Sequence, residues 1–233
     1  MKHSWIALVI VLLLSGCWNI NQKSSKRSNY YDEYFYPTDS LKPFIFAYRD
    51  DARPLDERFH RIYSKYNKND SLVLVIERYN ASFRIFEAFT VNVDDHFSVL
   101  DHMLVDGDGI KRKNRVSSRA YFPTKKNKSI TYVADFPAPV DSLVIVYESR
   151  RTVIDDKFTM DVMGKEYAAI NVRDTIIMHL VNPRTKEIRD HITVTDNFYA
   201  KGLGLVKWGD VDGEVVYELQ KILSNEWWEE FAK

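Results

Sequence analysis

The chain offers few residues for nucleophilic or metal chemistry: one thiol, Cys17, and six histidines in 233 residues. His96 and His102 stand near Asp94, Asp95 and Asp101, but metal-ligating pairs on one helical face prefer i, i+4 spacing. These two lie six apart, so a polar surface is expected there. His179 and His191 fall in predicted strands and could face each other across a hairpin, yet two imidazoles without a third ligand do not make a zinc site. Asp106-Gly107-Asp108-Gly109 has the look of a calcium loop but lacks the alternating oxygen ligands and distal Glu of an EF-hand. A tight hairpin turn explains it better. No nucleophile elbow, phosphate-cradling glycine loop or Ser/His/Asp signature occurs. The sequence therefore assigns no catalytic residue, no metal ligand and no cofactor.

What remains is Cys17 itself. Lys2 gives a positive start, Trp5–Leu14 an unbroken apolar run, and Ser15-Gly16 two small residues just before the cysteine. That is the shape of a secretory signal. The run Leu14-Ser15-Gly16-Cys17 resembles the bacterial lipoprotein signal, the lipobox. The resemblance implies cleavage between Gly16 and Cys17, a diacylglycerol thioether on the sulfur and acylation of the new amino group. The apolar run is about half the roughly 20 residues a bilayer-crossing helix needs, and several acyl chains anchor far more stably than one. The expected partner is thus a membrane, reached through lipidated Cys17. The residues after the cysteine, Trp18-Asn19-Ile20-Asn21, lack the acidic signature of surface-exported lipoproteins in Bacteroidota, which favours the periplasmic face of the outer membrane.

Cleavage removes Lys2 and leaves 32 basic against 33 acidic residues. Such a balance gives no basic field, so nucleic acid is not an expected partner. With Cys17 lipidated no disulfide can form, and stability must come from burial, for which 14 Tyr, 13 Phe and 5 Trp are ample. The domain plan is a signal peptide over 1–16, a lipidated cysteine and tether over 17–42, and one globular domain over 43–233. The first part of the tether is polar and has little to bury. Its end carries Tyr30, Tyr31, Tyr34, Phe35 and Tyr36, rings expected to dock on the domain as its first ordered element.

Within the domain the expected class is α+β, rich in β. Pro43–Tyr48 reads as a first strand. Leu55, Phe59, Ile62, Tyr63 and Tyr66 fall on one helical stripe after Pro54, which suits a first helical turn, so an amphipathic helix is predicted from Pro54 to about Tyr66, lying on a sheet. Leu72–Tyr79 and Phe83–Val91 form a predicted hairpin. Asp94–Val105 is ambiguous. Lys111–Arg115 and Lys125–Lys128 read as exposed basic loops around a short strand near Tyr121. From Ile130 to Ile222 strands recur at short intervals, separated by signals such as Asp155-Asp156, Gly164, Asn182-Pro183 and Gly209–Gly213. That pattern marks an antiparallel meander. Asn225–Phe231 reads as a short terminal helix packing its aromatic rings on the sheet.

Tyr199–Trp208 (YAKGLGLVKW) resembles the closing strand of β-rich envelope lipoproteins of Bacteroidota, and Gly164-Lys165-Glu166-Tyr167 a hairpin that precedes it. The resemblance covers about a quarter of the chain and implies a curved antiparallel half-barrel like that of LolA-type carriers. Gly202 and Gly204 would allow a bulge or close backbone approach, with Leu203 and Leu205 on one face and Val206 and Trp208 on the other. Ser40, Ser71, Ser142 and Thr175 each follow Asp in a pattern resembling the Bacteroidota O-glycosylation acceptor, with Ser40 the favoured site. The functional expectation is a non-catalytic, membrane-anchored interaction or structural module. The alternative is a carrier or sensor of an apolar ligand, and a weaker one a hydrolase with a dispersed site.

Overall fold

The computed structural model describes residues 30–95, 97–138 and 143–232. Gly16, Cys17, His96, Pro139 and Ser142 lie outside the described residues. Thirteen strands follow one another: β1 (Phe44–Asp50), β2 (Arg53–Tyr66), β3 (Leu72–Tyr79), β4 (Ile85–Asn92), β5 (Ser98–Val105), β6 (Lys111–Lys113), β7 (Arg115–Arg119), β8 (Ile130–Pro137), β9 (Val144–Val162), β10 (Lys165–Val181), β11 (Ile188–Ala200), β12 (Gly204–Asp210) and β13 (Val216–Leu223). Among the described residues one α-helix, α1 (Asn225–Phe231), follows β13, and a short 3-10 turn spans Asp32–Tyr34.

Every hydrogen-bonded pair is antiparallel, and all but one join strands that are neighbours in sequence. The exception is β1 with β13, where Ile45 pairs with Leu223 and Arg49 with Glu218. The remaining gap is spanned by one bent stretch: β6 pairs with β5, and β7, one residue later, pairs with β8. Between them the Asn114 N–H donates to the His102 carbonyl at 3.2 Å. The sheet thus curls into a nearly closed barrel, although the outer parts of the longest strands, such as Ile188–Val194 of β11, pair on one side only.

This overturns the α+β expectation. Arg53–Tyr66 is a 14-residue strand, not an amphipathic helix on a sheet. It is bonded to β1 on one side and β3 on the other. The apparent helical stripe mixes the two faces of a strand. Ile62 points into the barrel, Phe59 points outward under α1, and Leu55 is 91% exposed. The inward face also takes His60 and Ser64, both buried, residues that the helical reading would have left aside. β1 pairs with the first part of β2 and β3 with its second, the two overlapping over Phe59–Ile62, and this pairing outweighs a weak local propensity.

Other boundaries shift for the same reason. Lys111–Lys113 is a strand rather than a basic loop, and Tyr121 lies in the loop after β7 with its ring buried. Asp155-Asp156 does not turn the chain. It lies in the 19-residue β9, opposite the point where the register with β10 shifts near Asn171, a β-bulge that keeps both flanking segments in one strand. At ~3.3 Å per residue, β9 spans roughly 60 Å, more than twice an eight-residue strand such as β3.

α1 packs outside the barrel. The side chain of Ser224 accepts from Trp227 N–H as its N-cap, and Trp228 joins Ile45, Ala47 and Phe59 in a small outer cluster. The main core fills the interior.

Candidate functional site

Strand direction divides the barrel interior into two ends. The lower end carries the turns after β2, β4, β9 and β11; the upper end carries those after β1, β3, β10 and β12.

The lower end is plugged by two pieces of chain. Tyr31, Tyr34, Phe35 and Tyr36 enter from the amino-terminal side, and Tyr121 and Phe122 fold in from the β7–β8 loop; all are buried. Phe35 lies 4.3 Å from Phe97, 4.8 Å from Phe122 and 6.4 Å from Tyr199, between ring centroids, distances at which aromatic pairs attract beyond simple burial. The Tyr31 hydroxyl donates to Asp156 at 2.8 Å. Lys126 also binds Asp156, and these two hydrogen bonds hold its carboxyl below the usual range. Gly204, at φ +96°, leaves room for Tyr36, because a Cβ there would fall inside the Tyr36 ring's contact radius. A close approach of backbone to ring is therefore what glycine supplies at this position.

Above the plug the interior turns polar. Along β3 the inward residues run Leu74, Ile76, Arg78, and Arg78 Nη1 donates to Glu87 of β4 at 2.6 Å. Glu87 in turn meets His102 Nε2 at 3.0 Å, and His102 Nδ1 meets the Tyr132 hydroxyl at 2.6 Å. Burial pushes the Glu87 carboxyl up, but Arg78 and His102 together outweigh it and bring the group down to about 2. Glu87 is thus ionised, so His102 Nε2 carries the proton and, in the neutral ring, Nδ1 accepts from Tyr132. Carboxylate, imidazole and phenol form a relay in outline. With His102 only 1% exposed and both ring nitrogens engaged, the relay braces the wall.

Across the barrel, Arg151 Nε donates to Asp174 at 2.9 Å and its Nη1 to the Tyr121 carbonyl at 2.9 Å. The guanidinium lies 4.1 Å from the Tyr121 ring centroid, a cation–π contact. Ser149 donates to the other Asp174 oxygen at 2.6 Å. Nearer the upper rim, Arg58 reaches Tyr217 and Asp56, and the Tyr217 hydroxyl also donates to Asp56 at 2.5 Å.

These groups wall a cavity of about 320 Å³, within the range of small-molecule sites. Its charged lining is Arg58, Arg78, Arg151 and Asp174; the aromatic part is Phe86, Tyr147, Trp208 and Tyr217. Trp208 stacks on Tyr217 at 4.9 Å and on His60 at 5.2 Å, so both its faces are covered. Burial, with the charge of Arg78 beside it, drives the His60 imidazole well below its usual range. It is neutral at pH 7, and its Nδ1 lies 3.3 Å from the Tyr36 hydroxyl. That contact joins the plug to the cavity wall.

The sequence did single out the strand that carries Trp208, but for another reason. Gly202 sits in the turn before β12, and the bulge falls at Val206, where Phe198 pairs with Lys207 but Tyr199 with Leu205. The extra residue resets the alternation, so Leu205 and Trp208 both line the cavity rather than opposite faces. Arg58, Arg78 and Arg151 were missed. Their signal was parity: each lies on the face of its strand that also carries buried side chains.

The remaining expected sites are scattered. His102 is buried rather than on a polar surface. His179 pairs with Asp190 and His191 with Met178, so the two imidazoles lie on opposite faces of the hairpin. Among the described residues, no group of three or more His, Cys, Asp or Glu is placed to hold a metal ion. Ser40 is half-buried, and its hydroxyl donates to the Lys42 carbonyl at 3.0 Å; Ser71 and Thr175 are half-buried as well. Among the described residues, no helix is long and apolar enough to cross a membrane.

A second surface lies on the outer face of the long strands near the upper end. Val144, Val146, Ile177, Val181, Ile188 and Ile192 alternate with the inward residues there, and Ile188 and Ile192 are each 60% exposed.

No protein-family model and no curated protein matches the sequence. Two solved structures are similar to the chain. A candidate lipoprotein from Parabacteroides distasonis is 9% identical, with 82% of this chain and 98% of that one covered at a TM-score of 0.41. A candidate exported protein with a YmcC-like fold from Bacteroides fragilis is 12% identical, with 82% and 99% covered at 0.36.

Proposed function

We propose that this is a non-catalytic binding module of the bacterial cell envelope, anchored to the outer membrane through lipidated Cys17 and facing the periplasm. The observation that carries the binding role is the asymmetric interior: one end is packed solid with aromatic rings, while the other holds a cavity of about 320 Å³ lined by the buried Arg151 and the half-buried Arg58 and Arg78. The amino-terminal segment enters the barrel from the packed end, so the tether to the membrane leaves opposite the cavity. A carrier of a wholly apolar chain would need a cavity with few charges inside, because unpaired guanidinium groups are costly beside hydrocarbon. The lining runs against that alternative.

The interaction-module reading has its own support in the outer aliphatic face around Ile188 and Ile192. Exposed apolar patches on folded proteins mark interaction sites. Ser40 remains the proposed glycan acceptor, four residues before β1.

A native mass spectrum of the domain tests the binding role. The protein is purified from its native membrane and cut in the tether to discard the covalent lipid. A discrete non-covalent adduct that disappears on organic extraction supports a small-ligand module. A bare mass moves the function to the outer face. The anchor has a separate test: Cys17→Ser leaves an uncleaved precursor that takes up no labelled fatty acid, and normal processing of that variant refutes lipidation.

A further inference from the structure

The cavity's charge is lopsided. Three guanidinium groups line it against one carboxylate, Asp174. The carboxylate that pairs with Arg78 is turned away, since Glu87 binds His102 and does not line the cavity. Asp56, the partner of Arg58, lies outside the lining too. Each guanidinium carries five N–H donors; Arg58 and Arg151 use two each in the bonds above, and Arg78 gives one to Glu87 and a long one, 3.5 Å, to the Tyr121 hydroxyl. Arg78 Nε is buried with no hydrogen-bond partner, a costly state for a polar atom cut off from water.

The cavity that the three guanidinium groups line equals roughly ten waters at the ~30 Å³ each occupies in the liquid. A void of that size in an apolar core would forfeit dispersion contacts. Polar walls keep such a space wet and ready for a ligand that brings acceptors. A carboxylate or phosphate bound to arginine forms shorter and stronger hydrogen bonds than a neutral acceptor does. Around the guanidinium groups stand Phe86, Tyr147, Trp208 and Tyr217, which suit an apolar or planar body.

We propose that the upper cavity takes a small organic anion, its carboxylate or phosphate group held by Arg78 and Arg151 and its body set among Phe86, Trp208 and Tyr217. This rests on the binding-module reading and gives that module its ligand class. Thr195 lines the same cavity and is the point from which added negative charge opposes such a ligand without dismantling either arginine pair.

The test is calorimetric titration of the full chain in detergent with phenylacetate, phenyl phosphate and the neutral phenylacetamide. At least one anion is expected to bind about tenfold or more tighter than the amide, a gap of about 1.4 kcal/mol. Preference between the two anions tells carboxylate from phosphate. Thr195→Glu should weaken the preferred anion about tenfold or more, and Arg78→Lys should weaken it partially, since lysine keeps the charge but loses the planar fork. Equal binding of the amide, or no binding of either anion, overturns the proposal even if the variants fail to fold. A neutral adduct in the native mass spectrum would keep the binding module and remove only the anion.

Discussion

The two ends of the barrel interior solve one problem in opposite ways. Twelve or so strands curled into a ring enclose more volume than their own side chains fill at every level, and wide barrels commonly hold a plug or a cavity. At the lower end the chain fills the space with itself: Phe35, Tyr36, Tyr121 and Phe122 are not on the strands, yet they are among the most buried rings. At the upper end the strands' own arginines, one carboxylate and several aromatic rings line the space and leave part of it open. The lower end is held chiefly by area buried, which is insensitive to pH, with a charged contact, Lys126 on Asp156, at its edge. The upper end is held by charge pairs, each of which becomes a liability if one member is lost.

The largest expected effect tests the lower end. Phe35→Ala should cost about 4 kcal/mol in urea unfolding, the usual loss when a fully packed aromatic is truncated. A loss under about 1 kcal/mol would mean that the plug is a passenger and the ring of strands stands without it.

Next comes the upper end. Asp174→Ala leaves the Arg151 charge buried without its carboxylate, at an expected cost of about 3 kcal/mol. The double change Arg151→Met with Asp174→Leu should recover most of that loss, because a buried pair is often no better than apolar residues of similar size. Failure of the double variant to recover would show that the pair fixes the barrel's shape as well as its charge balance.

Acid should separate the ends further. The Glu87 carboxyl is held down to about 2 in the folded chain against an ordinary 4.5. A depressed carboxylate contributes stability that is present above its unfolded value and lost as pH falls toward the folded one. The window is therefore about pH 4.5 to 2, worth roughly 3 kcal/mol. His60 acts in the same direction at higher pH: it is held neutral when folded, so below about pH 6.5 protonation favours the unfolded chain. Stability measured against pH should fall in two stages, with Glu87→Gln flattening the lower stage and His60→Gln the upper. An unchanged acid limb in Glu87→Gln would refute the assignment.

The smallest effect is a control one residue away from the buried pair. Arg173 and Asp196 form a bidentate bridge of 2.8 and 2.9 Å on the outer face. Arg173→Ala should cost under about 1 kcal/mol, as exposed pairs do. If it cost as much as Asp174→Ala, burial would not be what distinguishes the two bridges.

Parts of this architecture were legible in residue order because they are local. Leu72–Tyr79 is bounded in the structure as its β-branched run suggests, and α1 spans Asn225–Phe231 behind its Ser224 cap. The repeated short strands gave antiparallel neighbours in sequence. The Cys17 signal is likewise read entirely from adjacent residues. The candidate site was legible only in fragments. Trp208 lay in a strand marked by its glycines, whereas Arg58 fell within the predicted Pro54–Tyr66 helix, Arg78 near the end of the predicted Leu72–Tyr79 strand, and Arg151 drew no reading.

Those failures share a cause. A strand's character is completed by its neighbours, and Arg53–Tyr66 becomes one because β1 and β3 take up its backbone groups. A charged side chain inside a strand reads the same whether it meets water or a carboxylate 23 residues away, as Arg151 meets Asp174 on the next strand. Closure is more remote still, resting on β1 meeting β13 and on the bend at Asn114. Sequence alone thus determined the local strands and the terminal helix, and it alone carries the proposal of an export signal. Which residues face inward, what plugs one end and what stays open at the other were decided by ring closure, because only a closed sheet has an inside.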